Sequence, residues 1–124
     1  MDEIAAKVEA LKDEMVKNRR FFHSHPETGF FTFFTTAKIA SELKKLGYSL
    51  KMGREIMKPE ARAGLGSEKD KEKYLERAKG LLSADEREFL SVMEDGLTGV
   101  VAELDTGRPG KTLAFRFDID GVDV

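Results

Sequence analysis

Hydrophobic positions near the N-terminus recur at helical spacing. Ile4, Val8, Leu11 and Met15 follow one another at intervals of four, three and four residues, which places them on one side of a helix. Acidic residues open this stretch and basic residues close it, as the helix dipole favours. The pattern predicts a first helix from residue 2 to about residue 20.

A second apolar stripe, which includes Ala37 and Ala40, predicts a helix over residues 35–46. Gly47 follows it directly, and glycine commonly ends a helix by adopting a left-handed backbone conformation. Residues 48–52 alternate between apolar and polar side chains, which predicts a short strand.

The next stretch, about residues 53–97, combines many charges with a helical spacing of its apolar residues. Tyr74 and Ala78 belong to one such stripe, and Ser83 followed by Glu86 forms a capping box that opens a further helix. The stretch therefore reads as a helical insert. We expect its charges to form a solvated face, and a contact between subunits is the alternative.

Two runs near the C-terminus are strand-like, at residues 98–105 and 111–120. The turn between them contains Pro109 and Gly110, and a tight link of this kind favours an antiparallel pair. The complete pattern predicts an α/β chain with two helices, a short strand, a helical insert and a terminal antiparallel strand pair.

Composition narrows the class of protein. The chain has 124 residues, enough for one domain, with 40% hydrophobic and 35% charged residues. Its formal net charge of -2 gives no sign of binding to nucleic acid or to an anionic membrane. No apolar run approaches the roughly 18 residues of a membrane span. Cysteine is absent, so disulfides and thiolate sites are excluded and the cytoplasm is the expected compartment.

Aromatic residues are concentrated in one segment. Six of the nine Phe lie between residues 21 and 34. Large aromatic side chains are usually buried, so a local core cluster is the first interpretation, and a surface for a partner or ligand is the second.

Two carboxylates are candidates for chemistry. Asp118 and Asp120 stand two apart, so on a strand both would point to the same side. Such a pair can hold a cation, or one carboxylate can raise the pKa of the other for acid–base work. The structural alternative is that they cap a loop or pair with Arg116.

A second candidate is the pair His23 and His25, with Glu27 close by. Two histidines at this spacing can bind a transition metal. Pro26 and Gly29, however, place them on a turn, where histidines that hydrogen-bond to backbone groups are common.

Three segments resemble a known family. RRFFHSHPETGFF (19–31), TTAKIASELKKLGY (35–48) and the tail TGVVAELDTGRPGKTLAFRFDID (98–120) are similar to the N-terminal signature blocks of the aminoacylase/carboxypeptidase-type metallo-amidohydrolases. The resemblance implies the N-terminal portion of a zinc-exopeptidase-like catalytic domain. It also implies hydrolysis of the amide bond of N-acyl amino acids, such as p-aminobenzoyl-glutamate, with a divalent metal (Zn or Mn) in full-length relatives.

The resemblance assigns roles residue by residue. Asp118 matches the family's supporting acid beside the metal site, and Asp120 is the second candidate. Arg116 stands where the amidohydrolase branch also has Arg, so it is not a metal ligand. His23 and His25 match signature positions that are not metal ligands.

Within the family, the chain resembles most the A subunits of aminobenzoyl-glutamate hydrolases. The features in common are LGYSLKMGREIM (46–57), the charged helical insert, DTGRPG (105–110) and Asp123. This implies that the partner is a homologous B subunit, with self-association as the other option. Phe31 and Phe34 stand where the family usually has polar residues, and as exposed side chains they would favour association.

The family's metal motif, paired Glu and later His ligands follow the second Asp, and this chain stops four residues after Asp120. Residues 1–124 are therefore expected to form a single incomplete catalytic-domain fragment. We expect no metal bound by this chain alone and no amidase activity without the missing part.

Two alternatives stay open. Asp118-Ile119-Asp120-Gly121-Val122 also resembles the nucleophile motif of haloacid dehalogenase-like phosphotransferases, in which the first Asp attacks phosphorus and the second transfers a proton. The motif usually opens such chains, whereas here it closes one. The other alternative is a non-enzymatic interaction module that uses the Phe cluster and the charged helices.

Overall fold

The computed structural model describes residues 2–122, so Asp123 lies outside the described residues. Five helices and two strands are found within that range: α1 (Glu3–Ala10), α2 (Lys12–His23), α3 (Phe33–Lys45), β1 (Ser49–Met52), α4 (Glu68–Leu81), α5 (Ala84–Arg87) and β2 (Val100–Glu103). Short 3-10 turns occupy Gly53–Glu55, Pro59–Ala61 and Glu88–Val92.

The first predicted helix is present as α1 and α2, joined at Leu11. Leu11 keeps helical backbone angles, φ -89° and ψ -2°, so the two pieces follow one another with a single irregular residue. The predicted apolar side of this helix pair, which includes Ile4 and Met15, is at least half exposed. The periodicity therefore predicted the helix correctly, but the described residues do not bury its apolar side.

The core lies along α3. Phe33, Phe34, Ala37 and Ala40 are buried, and residues of the insert cover them: Tyr74, Ala78, Leu82, Leu90 and Met93. The core interpretation of the Phe cluster is confirmed for Phe31, Phe33 and Phe34, whereas Phe21 is 38% exposed. The expectation that Phe31 and Phe34 would be exposed is wrong, since they are 3% and 1% exposed. Phe31 packs against Tyr74 of the insert, and Phe34 packs against Phe21 and His25.

Two helix boundaries agree with the local sequence signals that predicted them. Gly47 has φ +88° and follows α3 as predicted. Ser83 Oγ accepts a hydrogen bond from the backbone N–H of Glu86, and Glu86 accepts one from the N–H of Ser83, so the predicted capping box opens α5. The insert is mainly helical, as the apolar spacing predicted.

The two strands form an antiparallel sheet in which Met52 lies opposite Val100 and Ser49 lies opposite Glu103. Met52 is buried against the core. On the exposed side, Lys51 Nζ lies 2.9 Å from Glu103 Oε1. The insert therefore leaves the sheet at the end of β1 and returns to it at the start of β2.

The predicted strand over residues 111–120 and its pairing with residues 98–105 are wrong. β2 pairs with β1 instead, and residues 111–120 form neither a helix nor a strand. Asp105 accepts a hydrogen bond from the N–H of Gly107 (2.8 Å) and Thr106 accepts one from the N–H of Arg108 (3.3 Å). These two bonds form local turns at residues 105–108, shortly after the end of β2.

Candidate functional site

A buried carboxylate, that of Glu27, organises the loop before α3. Its side chain accepts hydrogen bonds from the backbone N–H groups of Phe34 (2.9 Å) and Thr35 (2.8 Å). These groups belong to the first turn of α3, whose N–H groups have no partner within the helix. The negative charge also complements the positive end of the helix dipole. Glu27, only 2% exposed, thus caps α3 from a distance of seven residues along the chain.

Burial and hydrogen bonding act on Glu27 in opposite directions. Loss of water raises its pKa above 4.5, while the N–H groups of α3 and the positive charge of Arg77 lower it. Arg77 also donates a hydrogen bond to the carbonyl oxygen of Pro26 and stacks on the ring of Tyr74, with 5.0 Å between the guanidinium carbon and the ring centroid. Arg77 therefore connects α4 with the loop that carries Glu27.

The same loop contacts the C-terminal end of the described chain. The backbone N–H of Gly121 donates a hydrogen bond of 2.7 Å to the carbonyl oxygen of Glu27. Thr28 and Gly121 form an isolated parallel bridge. The structure thereby brings the first of the three segments that carried the family resemblance next to the residue that follows the third.

Asp118 and Asp120 lie on the exposed segment that precedes Gly121. Asp118 Oδ1 lies 2.6 Å from Arg116 Nη2, and both side chains are mostly exposed. Asp120 is exposed as well. The structure thus shows the Arg116 pairing that the sequence allowed, and the role of Asp118 as a supporting acid stays a prediction.

The two histidines lie at the end of α2. His25 Nδ1 lies 2.9 Å from both Ser24 Oγ and the carbonyl oxygen of Phe21, and its ring centroid lies 5.0 Å from that of Phe34. His23 is exposed. His25 is therefore a turn histidine bonded to the backbone, as one of the two interpretations predicted.

A divalent metal requires several ligands in one place. Among residues 2–122, no three His, Asp or Glu side chains lie close enough together to hold a metal ion. The described residues do not fit a complete divalent-metal site.

Comparison with known proteins gives close relatives. No protein-family model matches the chain. The A subunit of the p-aminobenzoyl-glutamate hydrolase of Escherichia coli strain K12 is 40% identical over 126 residues, which cover 100% of this chain and 28% of that protein. The indole-3-acetyl-aspartic acid hydrolase of Enterobacter agglomerans is 41% identical over 117 residues, which cover 94% of this chain and 26% of that protein.

A solved structure agrees with these relatives. The crystal structure of the aminobenzoyl-glutamate utilization protein from Klebsiella pneumoniae matches with a TM-score of 0.88 and 40% identity, over 98% of this chain and 30% of that one. The chain is a homologue of the aminobenzoyl-glutamate hydrolase A subunits. The resemblance found in the sequence is confirmed, and the relatives named above are hydrolases, not phosphotransferases.

The chain spans less than a third of the length of the relatives it matches. Within residues 2–122, no helix is long and apolar enough to cross a membrane. The α/β class predicted from the sequence agrees with the helices and the two-stranded antiparallel sheet of this chain.

Sequence reasoning considered Glu27 only as a metal ligand beside the two histidines, and it missed Arg77. A capping Glu normally stands three residues into its helix, whereas Glu27 precedes Phe34 by seven residues. The available signal was a Glu inside a Pro-to-Gly turn, placed directly before an apolar helix. Arg77 carried no signal of its own, because it lies within a run of charged residues on α4.

Proposed function

We propose that this chain is the N-terminal scaffold of a metal-dependent amidohydrolase that cleaves N-acyl amino acids. In this proposal Asp118 is the acid that supports a metal ligand, and Asp120 assists it. The divalent metal, Zn or Mn, is held mainly by residues outside the segment described here. The isolated chain then binds no metal and has no amidase activity.

The observation that carries the proposal is the exposure of the apolar segment 113–117 before Asp118. Leu113, Phe115 and Phe117 are 76%, 76% and 78% exposed and alternate along the chain as on the inner side of a strand. Exposed apolar segments of this kind are regions where another part of a protein packs. The relatives are more than three times as long as the matched segment, so their remaining chain is the partner that fits this surface.

The substrate class follows from the names of two relatives. One is a hydrolase of p-aminobenzoyl-glutamate and the other of indole-3-acetyl-aspartic acid. Both compounds are amides between an aromatic acid and an amino acid with a second carboxylate. We therefore propose aromatic N-acyl derivatives of glutamate or aspartate as the substrates.

Partner and compartment are proposed on related grounds. One relative carries the name of an A subunit, and another carries the name of its homologue. These names support the proposal that the complete protein pairs with a homologous B subunit. The cytoplasm is the proposed compartment because cysteine is absent from the chain.

Complementation tests the proposal. This chain is expressed together with the part of the Escherichia coli relative that lies outside the matched segment. We expect the two pieces to copurify and, with Zn or Mn, to release glutamate from p-aminobenzoyl-glutamate. The double variant Phe115→Asp/Phe117→Asp is expected to lose copurification.

Leu46→Asp is the matched control, because Leu46 is also an exposed apolar residue (69%) but lies outside the segment 113–117. Equal copurification of the double variant and wild type would show that the segment 113–117 is not the contact. Amide hydrolysis by the isolated chain would contradict its proposed inactivity. An assembled complex that cleaves neither aromatic conjugate would contradict the proposed substrate class.

A further inference from the structure

Glu27 connects to two parts of the molecule through two different groups. Its carboxylate is bonded to the backbone of α3, and its main-chain carbonyl accepts the N–H of Gly121. A buried side chain with two hydrogen bonds leaves the residue little rotational freedom. The direction of the Glu27 carbonyl is therefore fixed by the same contacts that cap the helix.

The neighbours of Glu27 restrain the loop further. Arg77 holds the carbonyl of Pro26, and Thr28 Oγ1 donates to the hydroxyl of Tyr74 over 3.4 Å. Both contacts come from α4. The short segment 26–28 is thus fixed between α3 and α4, which form part of the core.

By contrast, residues 104–122 have few restraints. Within this part of the described chain, the main-chain contacts to the rest of the molecule lie at Gly121, whose N–H bonds to Glu27 and which forms the parallel bridge with Thr28. Asp118 lies three residues before Gly121. Since an extended residue spans at most about 3.6 Å, the chain itself keeps Asp118 within roughly 11 Å of Gly121, and the contact between Gly121 and the loop at Glu27 therefore limits where Asp118 can lie.

We propose that Glu27 is a positioning residue for the segment Asp118–Gly121 and acts through its own main-chain carbonyl. The carboxylate fixes the loop to α3, and the loop fixes Gly121. The importance of this for catalysis rests on the proposed role of Asp118. The positioning itself is a property of the chain and is measured without metal or substrate.

The test is amide hydrogen exchange, followed by NMR on the full chain. In the wild type we expect the N–H of Gly121 to be protected. Glu27→Ala is expected to speed its exchange about tenfold, the scale of one lost hydrogen bond. The buried helix amides of Ala37 and Ala40 serve as internal references, so that a general loss of stability is recognised. Glu27→Gln keeps one acceptor oxygen and is expected to give an intermediate rate.

Glu86→Ala is the matched control. Glu86 is also buried (8%) and also accepts a hydrogen bond from a backbone N–H, that of Ser83, but it lies at the start of α5. We expect it to lower stability and to leave the ratio of Gly121 exchange to reference exchange unchanged. If Glu27 had only a general structural role, Glu27→Ala and Glu86→Ala would change the exchange of Gly121 and of the reference amides alike, and the ratio would not distinguish the two variants.

Arg77→Met keeps the proposal testable if Glu27→Ala does not fold, because it releases the carbonyl of Pro26 and leaves the carboxylate in place. Arg77→Met, like Glu27→Ala, is expected to speed the exchange of the Gly121 N–H. The proposal is wrong if Gly121 exchanges as in an unstructured peptide in the wild type, or if the Glu27 and Arg77 variants leave its protection unchanged. Protection that depends on Glu27, together with an inactive complemented enzyme, would overturn only the proposed function.

Discussion

Lys38 Nζ lies 2.8 Å from Glu86 Oε1 and joins α3 to α5. The two side chains are 26% and 11% exposed, so water screens this ion pair much less than a surface pair. The same ammonium group lies 5.7 Å from the ring centroid of Phe21 and 5.8 Å from that of Phe34. One positive charge therefore connects α2, α3 and the insert.

We predict that Glu86→Gln destabilises the chain by about 1–3 kcal/mol near neutral pH, the usual scale for a hydrogen bond to a charged group. Burial raises the pKa of Glu86, but hydrogen bonds from Lys38 and from the Ser83 N–H outweigh it and hold the pKa below 4.5. The folded chain therefore binds this proton more weakly than the unfolded chain. The stabilisation is present above pH 4.5 and is lost as the pH falls through the lowered pKa.

Urea denaturation of both proteins over a series of pH values measures this difference. Glu42→Gln is the control, because Glu42 forms an exposed ion pair with Lys45 and is expected to contribute less than about 1 kcal/mol. A difference between wild type and Glu86→Gln that does not shrink in acid would contradict the proposed origin of the stabilisation.

A second prediction compares two phenylalanines. Phe33 is 0% exposed and Phe115 is 76% exposed. Phe33→Ala leaves a cavity in the core and is expected to lower the free energy of unfolding by about 3–5 kcal/mol. Phe115→Ala is expected to change it by less than about 0.5 kcal/mol, as an exposed position allows. The urea midpoints of the two variants check this, and similar losses would show that Phe115 is buried in solution.

A third prediction concerns the start of the insert. Gly53 has φ +59°, and a Cβ there would collide with the carbonyl oxygen of Val92. Gly53→Ala is therefore expected to cost more than about 1 kcal/mol, from backbone strain and from the contact. Gly80 lies in α4 with open space around it, and Gly80→Ala is expected to stabilise by about 0.5–1 kcal/mol. Thermal unfolding of both variants should give melting temperatures that move in opposite directions.

The helices could be predicted from the sequence because their signals are local. The apolar spacing of α3, the glycine at residue 47 and the Ser83–Glu86 capping box each lie within a few residues of the feature they predict. The strand over residues 111–120 failed for the opposite reason. Alternating Leu113, Phe115 and Phe117 fit a strand, but alternation does not identify the partner that a strand requires.

The sequence predicted the segments that form the candidate site but not the contact between them. The resemblance pointed to the segment of Glu27 and to Asp118, yet it did not show that Gly121 is bonded to Glu27. That contact joins residues from opposite ends of the chain through a main-chain carbonyl, which has no sequence signature. The capping of α3 by Glu27 was missed because its distance from the helix differs from the common spacing.

Met52, the last residue of β1, lies directly opposite Val100, the first residue of β2. The segment between them therefore leaves the sheet and returns to it at the same end. Whole helical turns can therefore be gained or lost between these two residues without altering the register of the strands, provided that Tyr74, Ala78 and their neighbours still cover α3. Evolutionary length variation among homologous sequences is expected to concentrate in this excursion. The sheet and the loop that carries Glu27 should then keep a constant length.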